Sequence, residues 1–187
     1  MSECYIAPGF CDSNIYIFPM SHHTIIASSP NGDKAELLER LQQDWRDQGL
    51  SFYYVPYSGV EMPGDIDKMF FSITDIPWLI MPPGVLVLDG IDQLFSAPNT
   101  SYERGAIMDV LKRKDCKIVF VIENIGNVPT EIIDSCDTCI CLPCDARTAR
   151  RLVSCDAPAY SPSNHGLLWV KSPNRPVRGL WLNEDRT

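Results

Sequence analysis

Residues 23–38 read His23-Thr24-Ile25-Ile26-Ala27-Ser28-Ser29-Pro30-Asn31-Gly32-Asp33-Lys34-Ala35-Glu36-Leu37-Leu38. A short apolar, β-branched run stops at a Ser/Pro/Asn/Gly loop, and a helical pattern begins at once. Leu37, Leu38, Leu41 and Trp45 recur on one face, and Gly49 supplies the residue that ends such a helix. The spacing predicts a strand over 23–27 and a helix over 34–48, joined by one tight loop.

Working outward, the pattern repeats. Val85-Leu86-Val87-Leu88-Asp89 and Lys117–Ile122 are apolar almost throughout, as strands covered on both faces of a parallel sheet are. Ser51–Val55 and Thr138–Leu142 read as further strands. Helices are expected over 65–72, 102–113, 130–133 and 145–153, the last with Asp145 as its N-cap. Asn14–Phe18 reads as an edge strand or hairpin, and residues 166–171 and 177–182 as a terminal hairpin around Ser172-Pro173-Asn174-Arg175-Pro176. The expected fold is α/β: a mainly parallel central sheet flanked by helices on both faces, with a C-terminal β-hairpin. One domain over 1–187 is expected, divided into an N-terminal strand or hairpin (1–22), an α/β core (23–153) and a closing hairpin (154–187).

Composition agrees with one packed domain, since 187 residues with 45% apolar content can bury a core without staples. No apolar run approaches the ~20 residues that span a bilayer. Met1-Ser2-Glu3-Cys4-Tyr5 lacks a basic leader, so an intracellular, cytoplasmic and reducing location is expected, with thiols rather than disulfides. The net charge of −8 is uneven. Residues 145–187 carry seven Lys/Arg against four Asp/Glu, a local +3 that leaves −11 for the rest. An acidic body argues against wholesale wrapping by nucleic acid, whose affinity comes from neutralised phosphates. The basic end can touch an acidic partner, or be solvated surface.

Ser28 to Ala35 lie without a gap on the phosphate-loop signature G-x-x-x-x-G-K-[S/T], yet only Lys34 matches. A working loop curls bare backbone amides around a phosphate, and glycines keep Cβ atoms out of the way. Here Ser28 and Asp33 replace the two glycines, and Ala35 replaces the hydroxyl that holds Mg²⁺. A carboxylate ~4 Å from a phosphate costs about 4 kcal/mol at an effective dielectric of 20. The candidate phosphate-contacting residues are therefore Ser29, Asn31, Gly32, Lys34 and Ala35, in a degenerate loop. The alternative for Lys34 is a surface lysine in the first helical turn, with Asp33 or Ser29 as N-cap.

Together, 23–35, the strand Val85–Asp89 and the segment 119–124 followed by Val128-Pro129 resemble the FtsK/SpoIIIE/HerA-type translocation ATPases. The C-terminal strand, helix and hairpin continue the likeness over nearly the whole chain. The resemblance implies a P-loop fold in which Asp89 orients Mg²⁺ and Asn124 stands at the sensor position. It implies ATP and Mg²⁺ as cofactors if the site functions. It also implies a glutamate after Asp89 to activate water, and Gly90 stands there instead. Asp92 can replace that base only if the loop turns back; Asp89 and Asn124 can equally be turn-forming residues.

Cys136-x-x-Cys139-x-Cys141-x-x-Cys144 has zinc-like pairs but a one-residue spacer, and it overlaps a buried strand, so a reduced cysteine core is the competing reading. His22 and His23 read as structural. Arg147, Arg150 and Arg151 share a helix side by spacing, and none is assigned a site role. Trp169 and Trp181, with Leu168 and Leu180, form either a partner face or hairpin packing.

The functional expectation is an ATPase-like, non-hydrolysing module. Its partner would be a protein, an active ATPase ring or further copies of itself, in a DNA- or protein-translocation machine. The alternatives are a divergent, active DNA-packaging ATPase and a zinc-stabilised interaction module.

Overall fold

The computed structural model describes residues 23–30, 34–58, 68–77, 84–113 and 117–160 in full, and six short strands elsewhere by their backbone. Those six are β1 (Tyr5–Ile6), β2 (Phe10–Cys11), β3 (Asn14–Ile15) and β4 (Phe18–Pro19) at one end of the chain, β11 (Leu167–Val170) and β12 (Val177–Leu180) at the other. Between them run β5 (His23–Ala27), α1 (Lys34–Asp47), β6 (Ser51–Pro56), β7 (Lys68–Met69), β8 (Gly84–Asp89), α2 (Ile91–Ser96) and α3 (Ser101–Val110). They are followed by β9 (Lys117–Ile122), α4 (Thr130–Asp134), β10 (Cys136–Cys141) and α5 (Ala146–Val153).

Ten strands form one sheet in the order β3-β2-β12-β11-β10-β5-β9-β8-β6-β7. The six from β10 to β7 are all parallel, and β11, β12, β2 and β3 extend the sheet antiparallel. β11 and β12 pair from Leu167 opposite Leu180 to Val170 opposite Val177; the expected turn between them, 172–176, lies outside the described residues. β1 and β4 pair separately. The expected strand at 14–18 is thus divided, with Asn14–Ile15 on the sheet edge and Phe18–Pro19 in the small pair. Lys68 and Met69 form an edge strand on β6, not part of the helix expected over 65–72. The Ser51–Pro56 edge offers them a ladder, and two residues paired there cannot also turn helical.

Alternation divides the core. Ile26, Val87, Val119, Val121 and Ile140 point to one face, where they meet Leu37, Leu38, Leu41 and Trp45 of α1. Ile25, Leu86, Leu88, Ile118, Phe120 and Cys139 point to the other, toward α2–α5. Both faces of β5 are covered, so all five of its residues are buried. Gly49 ends α1 as expected, at φ 74°, with its N–H and that of Leu50 donating to Arg46 and Trp45 carbonyls.

Asp145 caps α5, accepting from the N–H groups of Arg147 (2.9 Å) and Thr148 (3.0 Å). Burial alone would raise its pKa, but the Thr148 hydroxyl and these two amides bring it below the ordinary carboxylate range. A depressed acid stabilises above its unfolded pKa, and that contribution is lost as pH falls through the folded one. Asp145→Ala is therefore expected to cost about 1 kcal/mol in urea unfolding at pH 7. The difference from the parent should shrink as pH falls through the lowered folded-state pKa of Asp145.

Candidate functional site

The register brings the C-terminal ends of β5, β9 and β8 to one sheet edge. Asp89, Val121 and Ile26 stand in one row, and Ala27 pairs with Ile122. Ligands of open α/β sheets gather at such an edge. β9 lies between β5 and β8, so whatever leaves β5 must cross its tip to reach Asp89.

Lys34 makes that crossing. It is the first residue of α1 and is 4% exposed, so it is not the surface lysine of the alternative reading. Its Nζ lies 3.2 Å from Asp89 Oδ1 and 3.6 Å from Glu123 Oε1 at the end of β9. Asp89 is also not a turn cap. Its Oδ2 accepts from Tyr54 OH at 2.6 Å and from Ser58 Oγ at 3.1 Å. With Lys34 on the other oxygen, three donors satisfy one buried carboxylate. Burial, and then the charge of Asp89 and the bond to it, hold the Tyr54 phenol well above its usual pKa, so it remains a donor.

The residue after Asp89 has a fixed geometry. Gly90 sits at φ 81°, in the left-handed region. A Cβ added there would lie 2.7 Å from both the N and the Cβ of Ser58. Tyr57 N–H donates to the Asp89 carbonyl (2.7 Å), and Gly90 N–H to that of Val121 (2.9 Å), so the backbone is tied on both sides. No side chain is accommodated at the position where the family resemblance implies a glutamate.

The chain does turn back after Gly90. Asp92, in the first turn of α2, is 3% exposed. Its Oδ2 accepts the Asn124 N–H at 3.0 Å, and Oδ1 has no hydrogen-bond partner among the described residues. Burial raises its pKa, against the opposing amides of Asn124 and Glu123 and the nearby charge of Lys34. One ammonium therefore pairs with Asp89 and Glu123, and its charge also acts on Asp92. Asn124 itself caps a tight turn, its Oδ1 accepting from Gly126 N–H at 2.8 Å.

On the loop side, Ser28 N–H donates to Ile122 O (3.0 Å) and Ser29 N–H to Pro143 O (2.8 Å). Ala35 follows Lys34 in α1 and brings no hydroxyl. Asn31, Gly32 and Asp33 lie outside the described residues.

The remaining candidates disperse. Arg147 leans on the Asn124 turn: a Cβ at Gly126 would meet its Nη1 at 3.3 Å. Arg150 bonds Asp156 at 2.8 Å and Arg151 bonds Thr130 at 3.0 Å, so the three arginines serve separate partners. Cys136, Cys139, Cys141 and Cys144 are buried, and none is in a disulfide among the described residues. Among the described residues no three His, Cys, Asp or Glu are arranged to hold a metal. His23 is buried edge-on to Phe120, with 6.1 Å between ring centroids; His22 and the side chains of Trp169 and Trp181 lie outside the described residues. Sequence reading missed Glu123, Tyr54 and Ser58. Glu123 carried a signal, standing beside Asn124 at the end of an apolar strand, while nothing local marked the other two. No described helix is long and apolar enough to cross a membrane.

No family model matches the chain, and no curated protein does. Solved structures match it by fold. The pCW3 conjugation coupling protein TcpA, in monomer form with ATPγS, aligns at TM-score 0.76 and 12% identity over 99% of this chain and 68% of that one. The cytoplasmic domain of the Thermomonospora curvata type VII secretion ATPase EccC gives TM-score 0.72 and 12% identity; 98% of this chain aligns with 30% of that one. The DNA-packaging ATPase B204 of Sulfolobus turreted icosahedral virus gives 0.62 and 10%, over 87% and 98% of the two chains. The chain has the fold of the FtsK/HerA-type P-loop ATPases. At these identities the likeness is one of fold.

Proposed function

We propose that this chain is a non-hydrolysing ATPase-like module, a structural or regulatory partner within a DNA- or protein-translocation machine. The observation that carries this reading is the pair Asp89–Gly90. Asp89 is bonded by Lys34, Tyr54 and Ser58, and Gly90 is held where no glutamate side chain fits. A hydrolytic site needs the reverse: a carboxylate open to a hydrated metal and a second one poised to take a proton from water. Two further features support it. Position 35 has no hydroxyl for Mg²⁺, and Lys34, the one cation of the phosphate signature, is balanced by carboxylates.

The fold neighbours support the wider setting. They include a conjugation coupling protein, a secretion ATPase also solved with a signal sequence peptide, and a DNA-packaging ATPase. With a net charge of −8, a protein partner fits this chain better than a nucleic acid. That partner is an ATPase ring or a second copy.

A thermal-shift titration tests the reading. Millimolar ATP, with or without Mg²⁺, is expected to move the melting temperature by less than about 1 °C, because a ligand stabilises only by occupying the folded state. No phosphate release above the protein-free blank is expected. A shift of several degrees that needs Mg²⁺ and disappears in Lys34→Met would replace this reading with that of a divergent ATPase.

A further inference from the structure

The arginines of α5 are not equivalent. Arg150 has an acid of its own, Asp156, whose Oδ2 lies 2.8 Å from Nη2. Arg147 and Arg151, one helical turn apart, lie against the segment 124–130 that follows β9. A Cβ at Gly126 would lie 3.3 Å from Arg147 Nη1, and Arg151 Nη2 donates to Thr130 Oγ1 at 3.0 Å. Arg147, Arg151, Gly126 and Thr130 are all exposed.

Residues 124–130 contain no carboxylate. Among the described residues neither Arg147 nor Arg151 forms an ion pair. Asp145 stands two residues before Arg147, but its oxygens accept from the Arg147 and Thr148 amides and from the Thr148 hydroxyl. The chain carries a net charge of −8, so acids are not scarce. Two cations one turn apart nevertheless repel each other against neutral neighbours, an arrangement that works against the helix itself. A guanidinium that served the fold would have an acid beside it, as Arg150 has.

We propose that Arg147 and Arg151, with Thr130 beside them, form a docking face for an acidic segment of a protein partner. This rests on the protein-partner part of the proposed function and not on the absence of hydrolysis. Each guanidinium offers a planar fork that takes a carboxylate through two parallel N–H···O bonds. With their Cβ atoms about 5–6 Å apart, the pair suits carboxylates one turn apart on a partner helix. A short acidic stretch meets these two cations alone, whereas a nucleic acid long enough to bind tightly would run onto the acidic body.

The test adds hexaglutamate to the full, folded chain and follows the arginine Nε–H signals by NMR. Saturable shifts are expected at Arg147, at Arg151 and in the Thr130 amide, while Arg150, already paired, stays unmoved. Raising salt from about 50 to 200 mM should weaken the binding several-fold. Arg147→Glu combined with Arg151→Glu should lose hexaglutamate and gain hexalysine. Both positions are exposed and the Asp145 cap is untouched; if the variant fails to fold, the shifts in the parent decide alone. No shift at millimolar peptide, shifts that include Arg150 equally, or a reversed variant that still binds hexaglutamate would each overturn the proposal. So would dimers of the parent at low salt that the reversal dissociates, because the face would then belong to a second copy. None of these outcomes involves ATP, so a failure here is separate from a failure of the nucleotide titration.

Discussion

Replacing Gly90 by alanine is expected to lower the melting temperature by roughly 6–12 °C, and replacing it by glutamate to lower it as much without creating ATP hydrolysis. Two costs combine in the alanine variant. A left-handed residue other than glycine costs about 1–2 kcal/mol. The added Cβ must also displace Ser58, whose N and Cβ stand 2.7 Å from where it would lie, and such overpacking costs about 1–3 kcal/mol. Relaxation is blocked from two directions. Ser58 bonds the Asp89 carboxylate, and the Asp89–Gly90 peptide is committed to Tyr57 and Val121. The sum, about 3 kcal/mol, falls on the first carbon of the side chain, so glutamate adds little beyond alanine. Calorimetry of the parent and both variants checks this. A glutamate variant as stable as the parent that releases phosphate from ATP would show a site one residue from activity, and would remove the basis for the proposed function.

Lys34→Met is expected to destabilise by about 3–5 kcal/mol at neutral pH, because removing one partner of a buried pair leaves the other charge uncompensated. Here the loss is shared, since Asp89 and Glu123 both pair with that ammonium and its charge also favours ionised Asp92. Adding Asp89→Asn to Lys34→Met removes one stranded charge while keeping an acceptor for Tyr54. The double variant should therefore be more stable than Lys34→Met alone by about 2 kcal/mol. Urea unfolding of the parent, both single variants and the double variant measures the coupling directly. If Lys34 served mainly a bound nucleotide, the ligand-free single variant would melt with the parent and the loss would appear only with ATP present. The two substitutions thus separate a lysine that holds the fold from one that holds a ligand.

Much of the architecture was legible because it is written in contiguous windows. The runs at 23–27, 85–88 and 118–122 are apolar on both alternating faces, and that suits only a strand covered on both sides. The stripe Leu37, Leu38, Leu41 and Trp45 has one period, Gly49 stops it, and Asp145 caps the last helix. Short elements escaped. α2 has six residues, too few for a period to stand out, and packing of Ile91 and Leu94 maintains it rather than propensity. The strand Lys68–Met69 exists only because β6 offers it an edge.

At the site, the residues alone place Ser28, Asp33, Ala35 and Gly90 where the phosphate-loop signature and the family resemblance imply two glycines, a hydroxyl and a glutamate. They could not say which groups would meet at Asp89. Tyr54 and Ser58 reach Asp89 across 35 and 31 residues, and Lys34 across 55, because the order β5-β9-β8-β6 brings their ends to one edge. Contacts at that separation follow from sheet order and register, which are settled by burying all the strands at once. Local sequence chose the strands and helices, and only their packing decided that Lys34 would face carboxylates.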